Sequence, residues 1–286
     1  MIPALLAALC DDAAVFPPGN APLAYAVRAY GARRRVWYAD LAGPLVLPAA
    51  ALPRLAPLLP RGDAPLPLSV TFPDGPAGVA AALAHAAALP VELRSIEVAV
   101  PGEARPAAFL EALAATLDDA PELDVYVEIP RGLRQTAFIE AVAGRYRAKF
   151  RTGGVRAELY PDEAELAGAV AAAVAVGLPF KATAGLHHAI RNTDRDTGFE
   201  QHGFLNLLAA TDALASGVSE REARALLAER DGHAVASWVR GLDESRARRA
   251  REAFLSFGTC SITDPLNELT ALGLVTAPAR TEGSTS

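Results

Sequence analysis

The chain has 286 residues, 51% of them hydrophobic, with a formal net charge of −6. That is enough chain to bury a sizeable core, and an acidic balance without a basic stripe interleaved with aromatics argues against a nucleic-acid partner. Two cysteines exclude a disulfide framework, the start Met1-Ile2-Pro3-Ala4-Leu5 lacks a basic leader, and alanine-rich runs such as 77–89 are too short to span a bilayer.

These features give the expectation of a cytoplasmic protein with no membrane partner. Candidate strands follow at 13–16, 44–48, 68–72, 96–100, 125–129, 148–151 and 180–183, with helices at 23–30, 52–58, 77–89, 107–117, 136–146 and 163–176. The step is roughly one βα unit, about 30 residues. Pro76 and Pro106 sit where a first helical turn tolerates proline, and Asp162 is placed to cap the helix that follows. Repeated βα units without hairpins predict a parallel sheet, and seven strands plus an eighth predict a (β/α)8 TIM-type barrel. The eighth strand has two candidates, 234–239 and 255–262. An open doubly wound sheet is the lesser alternative, because no G-x-G-x-x-G follows the first strand. No linker divides the chain, so residues 1–276 read as one domain and 277–286 as a disordered tail.

Of the 27 cationic side chains only Lys149 and Lys181 are lysines, and both lie in short apolar strand-like runs. Arginine serves as a solvated charge but not as an amine nucleophile, so two retained interior lysines point to amine chemistry. Strand alternation places Glu97, Glu128, Lys149 and Lys181 on polar faces opposite Val98, Val127, Phe150 and Ala182. With helices outside, these four groups converge inside the barrel near the C-terminal strand ends. Desolvation and a neighbouring ammonium both favour a neutral lysine able to form an imine with an aldehyde or ketone. A buried ionic lattice plugging the barrel is the competing reading.

The stretch 185–203 is a candidate substrate loop carrying His187, His188, Arg191, Asn192, Asp194, Arg195, Asp196 and His202. Arg151, Arg191 or Arg195 are candidate clamps for an anionic group, Thr183 shares the polar face of its strand, and His187 or His188 could move protons. Gly153 and Gly154 could cradle an anion or simply make a turn. No cofactor is required. A metal centre drawing on His187, His188 and His202 with Glu128 or Asp196 is the alternative, without tight ligand spacing behind it.

The order of strand motifs resembles the deoxyribose-phosphate aldolase group of class I aldolases. Leu68-Ser69-Val70-Thr71-Phe72-Pro73-Asp74-Gly75 resembles its third-strand run ending in Phe-Pro-x-Gly, and Val125-Tyr126-Val127-Glu128 its fifth-strand Val-Ile-x-Glu. Ala148-Lys149-Phe150-Arg151-Thr152-Gly153 resembles Lys-Thr-Ser-Thr-Gly, and Phe180-Lys181-Ala182-Thr183-Ala184-Gly185 resembles Lys-Ala-x-Gly-Gly. The resemblance implies an imine-forming Lys149 with Lys181 as its modulator. Glu97 stands where that family has an aspartate, and Ala184 and Leu186-His187-His188 depart from its glycine pair and the run that helps hold a sugar phosphate. The expectation is a Schiff-base-forming aldolase or lyase acting on a small oxygenated carbonyl compound. A metal-dependent barrel hydrolase or isomerase and a non-catalytic binding barrel are the alternatives, and a homo-oligomeric state is left open.

Overall fold

The computed structural model describes residues 1–59, 64–117 and 123–278. Eight parallel strands close into a barrel: β1 (Cys10–Asp12), β2 (Ala42–Pro48), β3 (Leu66–Phe72), β4 (Val91–Ala99), β5 (Asp124–Glu128), β6 (Arg147–Arg151), β7 (Phe180–Thr183) and β8 (Phe254–Thr259). Each strand pairs with its sequence neighbour, and β1 closes on β8. The eighth strand is therefore the second of the two candidates; residues 234–239 lie instead in a helix. The tail expected at 277–286 lies, from residue 279 onward, outside the described residues.

Outside the barrel run α1 (Leu23–Arg33), α2 (Val79–Ala87), α3 (Pro106–Ala114), α4 (Gln135–Val142), α5 (Glu163–Ala175) and α10 (Thr263–Ala271). Pro106 opens α3, and the Asp162 carboxylate accepts from the Glu165 amide to cap α5. The helix expected at 52–58 does not form as an α-helix. Two 3-10 segments, Ala49–Arg54 and Ala56–Leu58, take its place, since Pro53 and Pro57 lack the N–H an α-helix needs and crowd the preceding turn.

The first strand is also displaced. β1 is Cys10–Asp12, and residues 13–16 belong to the loop beyond it. Inside the barrel Asp11 is stabilised by Lys181 and Ser256, partners contributed from far along the chain.

Between β7 and β8 come a small hairpin pairing Asn192–Thr193 with Glu200–Gln201 and four helices, α6 (Phe204–Ala215), α7 (Glu220–Ala228), α8 (Gly232–Arg240) and α9 (Glu244–Ala253). Helix α6 packs against α5, α7, α8, α9 and β8, so every residue from Phe204 to Ala213 is buried. Its one buried carboxylate, Asp212, is satisfied by Arg246 at 2.6 Å and by the Trp238 indole N–H at 2.9 Å. The alternation expected for the strands holds: Ile96, Val98, Val127 and Ala182 are sealed in the apolar core together with helix residues such as Phe109 and Phe138. Among the described residues no helix is long and apolar enough to cross a membrane.

Candidate active site

A cavity of about 720 Å³ opens at the C-terminal strand ends. Its lining draws on the last residues of all eight strands or the loops just beyond them, including Ala13, Pro48, Phe72, Ala99, Glu128, Arg151, Thr183 and Cys260. This is where a barrel of this kind places its reactive groups. Glu97, Glu128, Lys149, Arg151, Lys181, Thr183, His187 and Gly154, all singled out in the sequence, line it.

The strand register brings the charges together. Glu128 is paired with Lys149, Lys149 with Lys181, and Lys181 with Ser256, so four consecutive strands place these residues in one layer. Glu97 reaches both amines from β4: its Oε2 lies 2.8 Å from Lys149 Nζ, and its Oε1 lies 2.7 Å from Lys181 Nζ. Lys149 also meets Glu128 at 3.1 Å, and Glu128 accepts from Arg151 Nε at 2.9 Å. Lys181 forms its second ion pair with Asp11. Three carboxylates thus face three cations in a continuous row, Asp11, Lys181, Glu97, Lys149, Glu128 and Arg151.

Burial opposes charge at Lys181, Glu97, Glu128 and Asp11, and the partners outweigh it at the first three. Burial works against the charged form of Lys181, yet Asp11 and Glu97 outweigh it and lift the amine well above the ordinary lysine range. Lys181 is therefore a fixed cation, and crowding of two amines does not neutralise it. Burial likewise works against the Glu97 and Glu128 charges. Lys149 with Lys181 in the first case, and Lys149 with Arg151 in the second, hold both carboxyls below their usual values. Asp11 is pushed up by burial, an effect its Lys181 partner only partly offsets.

Asp11, not among the residues the sequence singled out, is a core member of the row. Its carboxylate also accepts from Ser256 Oγ at 2.8 Å. Space for it depends on Gly43, where a Cβ would lie 2.2 Å from Asp11 Oδ1. Ser69 Oγ donates to Glu97 at 3.1 Å and accepts from Ser95 Oγ at 2.8 Å, while the Tyr126 ring lies 5.2 Å from Lys181 Nζ. The neighbouring Asp12 is structural, holding the Ala14 amide and Arg33.

The histidine loop divides. His187 lines the cavity with Nδ1 3.6 Å from Cys260 Sγ; burial lowers its basicity and raises that of the thiol. His188 instead pairs with Glu268 at 2.6 Å and is raised by that bond. His202 is buried: its Nε2 donates to the Pro161 carbonyl at 2.8 Å and its Nδ1 accepts from Arg191 at 3.2 Å, which fixes the tautomer. Neither His188 nor His202 lines the cavity.

Arg191 and Gly153 do not line it either. Gly153 is needed for close approach, since a Cβ there would meet Tyr160 at 2.7 Å and the Gly185 Cα at 2.8 Å. Arg191 is a brace, bonded to Glu163 at 2.6 Å and Glu200 at 3.2 Å, and it ties the hairpin to the start of α5. Arg191→Met is expected to lower stability by about 1–2 kcal/mol, below the cost of breaking a fully buried pair because both carboxylates are partly exposed. A urea midpoint checks the size, and faster proteolysis within 192–201 checks the location.

The three loop histidines have separate partners, and among the described residues no group of three or more His, Cys, Asp and Glu side chains is placed to hold a metal ion. Fold and site together define a (β/α)8 barrel with a row of alternating charges reaching into a mainly apolar cavity. Comparison with family models, curated proteins and solved structures gives no match.

Proposed function

We propose that the protein is an imine-forming lyase or aldolase, with Lys149 as the residue that joins the substrate carbonyl. One observation carries this reading: of the two primary amines in the row, Lys149 is the one whose removal strands no carboxylate. Without it Glu97 keeps Lys181 and Glu128 keeps Arg151, whereas without Lys181 the buried Asp11 keeps no cation in the row. A purely structural lattice has no need of Lys149, yet this lysine lines the cavity at 6% exposure. The strand-motif resemblance points to the same residue.

In this reading Lys149 passes a proton to Glu128, the more exposed of its two carboxylate partners, and its nitrogen adds to the carbonyl carbon. That proton and a second one from the added nitrogen go to the carbonyl oxygen, which leaves as water. In sum, ammonium and carbonyl give a protonated imine and one water. The imine then draws the electron pair of an adjacent C–C bond as that bond breaks, and the reverse order makes the bond. Lys181, fixed as a cation by Asp11, keeps Glu97 ionised beside the reacting nitrogen. His187, neutral because burial lowers its basicity, is placed to move protons on the cavity side.

The test is borohydride reduction in the presence of a panel of aldehydes and ketones, read by mass spectrometry of peptides. The expected result is a mass increment on Lys149. No adduct with any carbonyl would remove the lyase reading and favour a barrel that binds its ligand without reacting.

A further inference from the structure

Gln201 sits at the end of the hairpin, pairs through its backbone with Asn192, and lines the cavity. The residue is 4% exposed, and its Oε1 is the one buried side-chain polar atom among the described residues with no hydrogen-bond partner. Buried carboxamides are ordinarily satisfied, and leaving one unpaired is costly. The hairpin that carries it is tied down at the adjacent Glu200 by Arg191, Thr193 and Arg230.

The rest of the lining is mainly apolar, with acidic groups and a few neutral polar ones such as His187 and Thr197. Phe16, Pro17, Phe72, Leu159, Tyr160 and Phe199 form its walls, and Asp194 and Asp196 join them. Tyr160 and Phe199 pack with ring centres 5.5 Å apart. The cationic groups of the lining, Lys149, Arg151 and Lys181, are all engaged with carboxylates in the row. A small anionic sugar compound would leave these walls uncovered and meet like charge from the two aspartates.

We propose that Gln201 is a substrate-recognition residue, accepting a hydrogen bond from a hydroxyl or amide N–H on a mainly apolar, ring-containing aldehyde or ketone that fills the upper cavity. The inference rests on the imine reading for the carbonyl end only; the anchoring end stands on the cavity and the unpaired amide. The apolar body packs on the Phe, Pro and Tyr walls, the carbonyl points to Lys149, and Gln201 reads a neutral polar substituent.

The test uses benzylacetone and its para-hydroxy derivative, together with the secondary alcohols made by reducing each ketone, which cannot form an imine. Binding of the alcohols is measured by calorimetry, and the ketones are trapped with borohydride. The intact protein should bind the hydroxylated alcohol about tenfold more tightly than the plain one, a difference of about 1.4 kcal/mol. Gln201→Met should erase that preference while matching or exceeding the parent in thermal midpoint, because it removes an unpaired polar group. Gln201→Glu, which keeps an acceptor, should retain part of the preference.

No binding of either alcohol, equal binding of both, or an unchanged preference in Gln201→Met would overturn the inference. So would a large loss of stability in Gln201→Met, which would mark the amide as structural. Discrimination between the alcohols without any ketone adduct would sink the imine reading and leave the Gln201 anchor standing. An adduct without discrimination would do the reverse.

Discussion

Lys149→Met loses carbonyl trapping altogether, and its kcat/KM on any substrate the panel identifies falls by at least on the order of 10⁴-fold, while the fold survives. The magnitude follows from removing the bond-forming group itself, since loss of a nucleophile typically leaves only residual catalysis from binding and electrostatics. Survival of the fold follows from the charge row: Glu97 and Glu128 each keep a cation, and methionine fills most of the lysine stem's volume. Lys149→Arg makes the comparison sharper, because it keeps the charge and removes the primary amine. Both variants should show a circular dichroism spectrum like that of the parent. A Lys149→Arg protein that still formed a borohydride-stable adduct would move the nucleophile elsewhere, and an adduct mapped to Lys181 would identify the deeper amine.

The part of this site that was legible from sequence is the part governed by local periodicity. Alternation in Ile96-Glu97-Val98, Val127-Glu128 and Lys149-Phe150 distinguishes inward from outward residues once the sheet is known to be covered by helices, and the scarcity of lysine picks out the two that matter. Asp11 was obscured because its strand is three residues long and two of them are aspartates, so no alternation marks it. What makes it a strand is pairing with β2 on one side and with β8 on the other, where Asp11 lies opposite Gly258 from the far end of the chain. Partner choice was equally hidden. His188 selects Glu268, 80 residues on, and His202 selects the Pro161 carbonyl, while His187 alone turns to the cavity. Three histidines in one polar loop look equivalent until the loop is folded. Gln201 carries no sequence signal at all; its interest comes wholly from burial without a partner.

Glu97→Gln is expected to cost about 3–5 kcal/mol at neutral pH, the range for removing one partner of a buried ion pair. Glutamine matches glutamate in size, so packing is nearly unchanged, but both carboxylate oxygens are committed to donors. Oε1 accepts from Lys181 and Ser69, and Oε2 faces Lys149. Either orientation of the amide therefore turns its NH₂ toward an ammonium. The pH dependence distinguishes this from a packing defect. Glu97 is held below its usual value in the folded protein, so its stabilising contribution is present above the unfolded-state value, about 4.3, and is lost as the pH falls from there toward the folded value. The gap between parent and Glu97→Gln in urea midpoint should therefore be widest near neutrality and shrink as the solution is made acidic. Lys181 has the opposite sign: raised in the folded protein, it stabilises fully below the unfolded lysine value of about 10.4 and loses that contribution only as the pH climbs beyond it. A gap that stayed constant from neutral to acid pH would show that Glu97 acts through volume rather than charge, and the row of alternating charges would then not be what holds the two lysines in place.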